Sequence, residues 1–436
     1  MSRITFFQDL LASVYERGTV FRSVRDKRNI IDLCDSLMSE QGEVSGTKVA
    51  SAVLAKYETL DADQKNAFFA CLANDYDLEP DLVIEAAREY SADRSPEALF
   101  KLTQTSEPRR QELLRRLNQV PGATEKLVHI REDVMPLLKV QPELAVVDSD
   151  FEHLFSSWFN RGFLVLKPID WRTPANILEK IIEYEAVHAI NDWDDLRRRL
   201  QPDDRRCFAF FHPVMPEEPL IFVEVALTKG VPDSIATLLA ENREILPAEK
   251  IDTAVFYSIS NCQKGLKGVS FGNFLIKQVV NDLKQELPGL KNFVTLSPVP
   301  GFAKWLGRTY AEDAHADLVR ILEILALEDT DKILESLQEY EKHLTKLMAE
   351  YMVNAKRENG MPIDPVARFH LGNGAMLARI NWQADQSQNG VRQSLGMMVN
   401  YRYDLATVEN NHESYVNDRE VHTTREIRVL AKSELK

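Results

Sequence analysis

The residues of this chain whose types could do chemistry are few and widely spaced. Ser297 opens the run Ser297-Pro298-Val299-Pro300-Gly301-Phe302, in which two prolines around one residue fix the turn and hold the serine rigidly. His370 stands between Phe369 and Leu371. An imidazole is charged or neutral near pH 7 after a small shift, so it can hold a proton and give it away. The same apolar flanks equally suit a buried structural histidine, and Ser297 equally suits a cap for a short helix over residues 302–306. A third feature is Asn261-Cys262-Gln263-Lys264-Gly265-Leu266-Lys267-Gly268-Val269. Its glycines let the backbone approach a ligand closely, and Lys264 and Lys267, with Lys277 beyond, supply positive charge. Phe271, Phe274, Leu275, Val279, Leu283 and Leu287 recur at three- and four-residue steps, which predicts a helix directly behind the loop. Free amides feeding a helix N-terminus suit a phosphate, so the expected cradle runs from Gln263 through Ser270, Phe271 and Gly272 to Asn273.

Two patterns bear on the reaction class. Gly268-Val269-Ser270-Phe271-Gly272 matches the Gly-x-Ser-x-Gly elbow of serine hydrolases, in which the serine directly follows a strand. Here about nine residues separate the expected strand end from Ser270, which is too loose for that turn, so a hydrolase stands only as an alternative. No two histidines have the His-Glu-x-x-His spacing, and no metal site is expected.

The elements that must position these residues follow from periodicity. Residues 254–260 are apolar and β-prone and read as a buried strand; residues 293–296 read as a second strand that delivers Ser297. Residues 1–145 read as helix after helix, one apolar face beginning with Leu10, Leu11 and Val14 and another with Ile30, Ile31, Leu33 and Leu37. From residue 146, short β-prone runs at 163–166, 207–211, 220–227, 254–260 and 293–296 alternate with helical stretches at 174–187 and 235–244. Residues 311–358 read as long amphipathic helices, 375–382 and 396–403 as closing strands, and the polar tail after Val416 is expected to fray. The expected fold class is α+β and multidomain: an all-helical bundle over 1–145, for packing and subunit contact, then a mixed α/β catalytic domain over 146–436.

Composition bounds the partners. With 436 residues, 44% hydrophobic and 28% charged, the chain is an ordinary globular protein of two or three domains. Its 53 Lys+Arg against 67 Asp+Glu leave a net charge of −14, which argues against nucleic acid and requires any phosphate site to be locally positive. Cys34, Cys71, Cys207 and Cys262 form no Cys-x-x-Cys pair, as expected of free thiols in a reducing compartment. There is no apolar run of about eighteen residues and no signal-peptide core, so no membrane association and a cytoplasmic location are expected.

Ser258-Ile259-Ser260-Asn261, the glycine loop and Leu296-Ser297-Pro298-Val299-Pro300-Gly301-Phe302 together resemble malonyl-CoA decarboxylases. The resemblance extends through Tyr184-Glu185-Ala186-Val187-His188, Arg205-Arg206-Cys207, Val225-Ala226-Leu227-Thr228, Phe369-His370-Leu371 with Asn373-Gly374-Ala375, Arg379-Ile380-Asn381-Trp382 and Asn400-Tyr401-Arg402-Tyr403, and so covers most of the chain. It implies a helical domain followed by a catalytic domain similar to GNAT-type acyltransferases. It also implies malonyl-CoA as substrate, no cofactor, and a homo-oligomer, a tetramer, with the helical domain at its interface.

In this likeness His370 matches the family's catalytic histidine and Ser297 its catalytic serine. Ser258 and Tyr403 match positions near the reacting group, with Asn261 and Asn373 as further donors. The CoA pyrophosphate is expected on the loop, where Leu266 replaces a glycine of the acyltransferase pattern and Gln263, Gly265, Lys267 and Gly268 remain. Ser270 stands where relatives can carry an acidic residue, so a mechanism needing a carboxylate there does not transfer. Some eukaryotic relatives end in Ser-Lys-Leu, whereas this chain ends Ser433-Glu434-Leu435-Lys436. An acyltransferase using the same CoA site is the other alternative.

Overall fold

The computed structural model describes residues 27–39, 42–269, 275–309 and 316–432. Leu10, Leu11 and Val14, and the candidate residues Ser270, Phe271, Gly272 and Asn273, lie outside these residues. The chain forms two compact units. One comprises the described parts of Met1–Leu164, His212–Pro216 and Gln263–Ser270; the other comprises those of Val165–Phe211, Glu217–Cys262 and Phe271–Lys436.

The first unit is built of helices. Ile30–Ser39 buries Ile30, Leu33, Cys34 and Leu37, the three- and four-residue spacing of a single helical face. The helix Ala62–Asn74 starts at Asp61, whose carboxylate accepts the Gln64 amide while the Gln64 side chain accepts the Asp61 amide. Two later helices matter most: α1 (Ala123–Val134) and α2 (Ala145–Trp158). The helical texture continues past residue 145 because Val147, Phe151, Leu154 and Phe155 of α2 keep the apolar stripe going and are all buried.

The second unit is organised by one eight-stranded sheet. Its strands are β1 (Val165–Ile169), β2 (Arg205–His212), β3 (Met215–Thr228), β4 (Thr253–Asn261), β5 (Asn292–Thr295), β6 (Ser297–Pro298), β7 (Met376–Asn381) and β8 (Met398–Arg402). The order is β1-β2-β3-β4-β5-β8-β6, with β7 also on β8. β4 and β5 run parallel, Ala254 opposite Phe293 and Phe256 opposite Thr295, and between them in the chain comes helix α3 (Leu275–Glu286). Six consecutive residues of β4, Thr253 to Ser258, are buried, which explains why its sequence is a continuous run rather than an alternation. Ala226, Val255, Tyr257, Val294, Leu296 and Met398 pack into one cluster across these strands. Two further helices complete the parts needed below, α4 (Phe302–Thr309) and α5 (Pro365–Gly372).

Several expectations are corrected. The strand expected at 163–166 begins at Val165, because Arg161–Phe163 form a 3-10 turn closed by the Asn160 side chain on the Gly162 amide. The helix expected over 235–244 stops at Leu239, where Ala240 turns extended; within it only Ile235 and Leu238 find cover. The long helices expected over 311–358 are interrupted: Ala316–Leu325, Thr330–Leu337 and Glu341–Asn354 are separate, the second capped by the Asp329 carboxylate. The tail after Val416, expected to be polar and loose, carries regular structure within the described residues. Arg425–Lys432 is helical, burying Ile427 and Ala431 one turn apart, and Asn354 Nδ2 donates to the Ala431 carbonyl at 2.9 Å.

Candidate active site

The sheet unit contains a cavity of about 240 Å³. Phe256, Tyr257, Ile259 and Asn261 of β4 form one side of it, Leu296, Ser297 and Pro298 another, and Pro365, Val366, Phe369 and His370 of α5 face them. Its lining is therefore mostly apolar, with a hydroxyl and an imidazole among the few polar groups.

Local sequence explains how these groups are carried. Asp364 caps α5 by accepting the Ala367 amide at 2.8 Å, and Pro365 occupies the first helical position, where its missing N–H costs nothing. Starting the helix there puts Val366, Phe369 and His370 on one face, at steps of three and four. Ser297 belongs to a two-residue strand paired with β8, opposite Val399. Its hydroxyl does not cap α4: the Phe302 amide donates to the Val299 carbonyl, and Ser297 Oγ is engaged elsewhere.

Ser297 and His370 meet, with Oγ and Nε2 3.1 Å apart. Ser297 Oγ also donates to Thr295 Oγ1 at 2.7 Å. On the other side of the ring, His370 Nδ1 lies 2.8 Å from the Tyr403 hydroxyl. The Tyr401 ring stacks on the imidazole, and the Tyr401 amide donates to Thr295 Oγ1 at 3.1 Å. Burial, with no acidic group beside it, pushes the His370 pKa down to about 3, so the ring is neutral at pH 7. Burial likewise pushes the phenols of Tyr401 and Tyr403 well above their ordinary value.

The remaining candidates are distributed as follows. Ser258, one position from the wall residues Tyr257 and Ile259, has its Oγ on the Glu185 carboxylate at 2.8 and 2.7 Å. That buried carboxylate also accepts the amides of Val187 and His188, each at 2.8 Å, and so shapes the segment that puts Val187 on the cavity wall. Asn261 lines the cavity at the exposed end of β4. Asn373 is spent on capping α5, its Nδ2 donating to the Phe369 carbonyl at 2.8 Å. Thr295 and Tyr401 were not singled out in the sequence. Thr295 was accessible to reasoning, because residues two apart on an extended chain share a face.

The glycine loop belongs to the helical unit, and its amides are not free as the sequence suggested. Lys264–Leu266 is a 3-10 turn. The amides of Leu266, Lys267 and Val269 donate to the carbonyls of Gln263, Lys264 and Leu266, and that of Gly265 donates to the Glu132 carboxylate at 3.1 Å. The buried Arg131 donates to the carbonyls of Gly265 and Lys267 at 3.0 and 2.9 Å and is itself paired with Asp148. Gly265 is required by packing rather than by a ligand, since a Cβ there would lie 2.1 Å from the Val128 carbonyl oxygen of α1. Gln263 and Val269 are buried, Gly268 has φ +90°, and Lys264 and Lys267 are exposed. β4 ends at Asn261 and the turn Lys264–Leu266 follows it, so the strand does not run directly into position 270 as the nucleophile elbow of a serine hydrolase requires. Among the described residues, no group of three or more His, Cys, Asp or Glu could hold a metal ion.

The cavity of the sheet unit thus presents a neutral imidazole beside a serine, a pair of groups able to move a proton, as in an enzyme of the acid–base class. A family model of the malonyl-CoA decarboxylase C-terminal domain matches residues 162–436, and one of the malonyl-CoA decarboxylase N-terminal domain matches residues 76–159. The chain is similar to the solved malonyl-CoA decarboxylase from Rhodopseudomonas palustris, at 52% identity and a TM-score of 0.88, over 92% of this chain and 98% of that one. It is also similar to the one from Agrobacterium vitis, at 48% identity and a TM-score of 0.87, over 93% and 100% of the two chains. Mitochondrial malonyl-CoA decarboxylase of Anser anser anser is 34% identical over 457 residues, 96% of this chain and 90% of that protein. The chain belongs to the malonyl-CoA decarboxylase family.

Proposed function

We propose that this chain is a carboxy-lyase that converts malonyl-CoA to acetyl-CoA and carbon dioxide, with His370 as the acid and Ser297 beside it. The observation that carries the assignment of residues is the contact of Ser297 Oγ with His370 Nε2 at 3.1 Å on the wall of an apolar cavity. When the bond between the carboxylate and the α-carbon breaks, carbon dioxide leaves and its electron pair passes into the thioester as an enolate. The α-carbon then takes one proton from His370. The substrate supplies its own electron sink, so the protein has to position, stabilise and protonate. Val187, Ile259, Leu296, Val366 and Phe369 offer the malonyl carboxylate poor solvation. A localised charge loses more there than a delocalised enolate does, which favours loss of carbon dioxide. The Ser297 hydroxyl proton, directed at Thr295 Oγ1 in the free protein, is assigned to turn to the carboxylate or the thioester oxygen when substrate binds, without a covalent acyl-serine.

The nucleotide arm of CoA is assigned to the loop of residues 263–273. With four of its amides already bonded, the side chains of Lys264 and Lys267 are the groups we assign to the phosphates. We further assign the helical unit, expected from the sequence over residues 1–145 and extending in the structure through Ala145–Trp158, to subunit contact in a homotetramer, and the enzyme to the cytoplasm. Among the described residues no helix is long and apolar enough to cross a membrane. Sedimentation of the purified chain tests the tetramer, and fractionation of cells the location.

Purified protein incubated with malonyl-CoA, followed by chromatography of the thioesters, tests the reaction. Acetyl-CoA formed in step with carbon dioxide is the expected result. Malonate with free CoA would mean hydrolysis, acyl transfer to an added amine would mean a transferase, and intact malonyl-CoA would mean a binding protein.

A further inference from the structure

We propose that Thr295 is a positioning residue that decides which nitrogen of His370 carries the proton. The inference rests on His370 being the acid of the decarboxylation.

Ser297 has one hydroxyl proton, and it is directed at Thr295 Oγ1, 2.7 Å away. Nothing remains for Ser297 to donate to the imidazole. In the 3.1 Å contact the serine oxygen therefore accepts, and Nε2 carries the hydrogen. A neutral ring has a single N–H, so Nδ1 is bare and accepts the Tyr403 hydroxyl proton across 2.8 Å. Thr295 is fixed well enough to impose this. Its side chain is fully buried, its Oγ1 also accepts the Tyr401 amide at 3.1 Å, and its carbonyl accepts Asn400 Nδ2 at 2.7 Å. The nitrogen engaged with Ser297 is thus an N–H. Had Thr295 offered no acceptor, the serine proton would turn to Nε2 and the ring would present a lone pair there, the arrangement of a base.

The proton ledger closes with the groups present. The Nε2 proton passes to the α-carbon, where the enolate electron pair forms the new C–H bond. As the N–H bond breaks, the Tyr403 hydroxyl proton moves to Nδ1, and the ring stays neutral in its other tautomer. The phenolate left on Tyr403 takes a proton from solvent water, so one proton is consumed for each carbon dioxide released. A thioester enolate is a far stronger base than a phenolate, which drives the transfer despite the buried phenol.

Nitrogen-15 NMR of the full-length protein labelled at histidine tests this, with the His370 signals assigned by their loss in His370→Asn. The expected result at pH 7 is protonated Nε2 and bare Nδ1. Thr295→Val keeps the shape and removes the acceptor. It should move the proton to Nδ1 and lower kcat by about tenfold or more with KM changed less than about twofold, as expected when a catalytic imidazole is held in the wrong tautomer. Thr295→Ser should restore both the tautomer and kcat. A protonated Nδ1 in the unaltered protein, or a Thr295→Val variant with unchanged tautomer, would overturn the proposal. If Thr295→Val fails to fold, the spectra of the unaltered protein and of Thr295→Ser decide alone. Because the tautomer is read without turnover, a protein that shows the expected spectrum yet leaves malonyl-CoA intact would sink the proposed reaction and not the role of Thr295 in setting the ring.

Discussion

Tyr401 lies nearly flat against His370, with ring centroids 4.5 Å apart and planes inclined by 26°. Its own amide donates to Thr295 Oγ1, so a single residue of β8 braces both the imidazole and the hydroxyl that partners Ser297. β8 is flanked by β5, β6 and β7, and this gives it little freedom to shift. The imidazole is therefore held by a ring on its face and by hydrogen bonds at both nitrogens, which fixes its orientation, as the role proposed for it requires.

Replacing His370 by Asn removes the transferable proton and keeps a polar side chain of similar reach. Turnover of malonyl-CoA should fall by about a hundredfold or more. Thioester chromatography under saturating substrate checks this, and an unchanged rate would remove His370 from the mechanism.

Tyr403→Phe leaves the ring packed and takes away only the hydroxyl at Nδ1. An orphaned buried nitrogen should destabilise the fold by about 1–3 kcal/mol, read as a lower urea midpoint. Turnover should fall by about tenfold or more, because the ring loses both its orienting bond and its source of a second proton. Loss of stability with full turnover would assign Tyr403 to packing alone.

Stability should decline in mild acid, and the sign follows from His370. Its folded pKa is about 3 through burial, against 6.5 when unfolded. Below pH 6.5 the unfolded chain binds a proton that the folded chain refuses, so stability falls as pH falls, by roughly 1.4 kcal/mol per unit, until the folded ring titrates near pH 3. His188, also lowered by burial, acts in the same direction. Urea midpoints between pH 7 and pH 5 should drop, and His370→Asn should flatten the slope; a variant with the unaltered slope would contradict the assignment.

Two substitutions separate packing from binding in the glycine loop. Gly265→Ala drives a methyl group to 2.1 Å from the Val128 carbonyl oxygen and should destabilise by about 1–3 kcal/mol. Lys267→Glu alters an exposed charge, so its melting temperature should hold while CoA affinity, measured by calorimetry, weakens more than turnover does. Equal affinity in the lysine variant would place the phosphates elsewhere.

What the amino-acid sequence determined by itself was local. The apolar run of β4 and the amphipathic face that begins at Ile30 each follow from spacing within a few residues, and each formed. The motif around Ser297 and the one around His370 were also legible, one at a time. Tertiary structure decided what they do together, because their contact joins positions 73 apart in the chain and no local period encodes such a distance. It decided equally that the amide of Gly265 answers to Glu132 and its missing side chain to Val128, although a glycine beside lysines reads locally as a ligand loop. The contacts of Thr295 and Tyr401 arise in the same way: whether a buried hydroxyl or ring is filler or support depends on what the fold brings against it, and that is set by strand order and helix placement rather than by residue type.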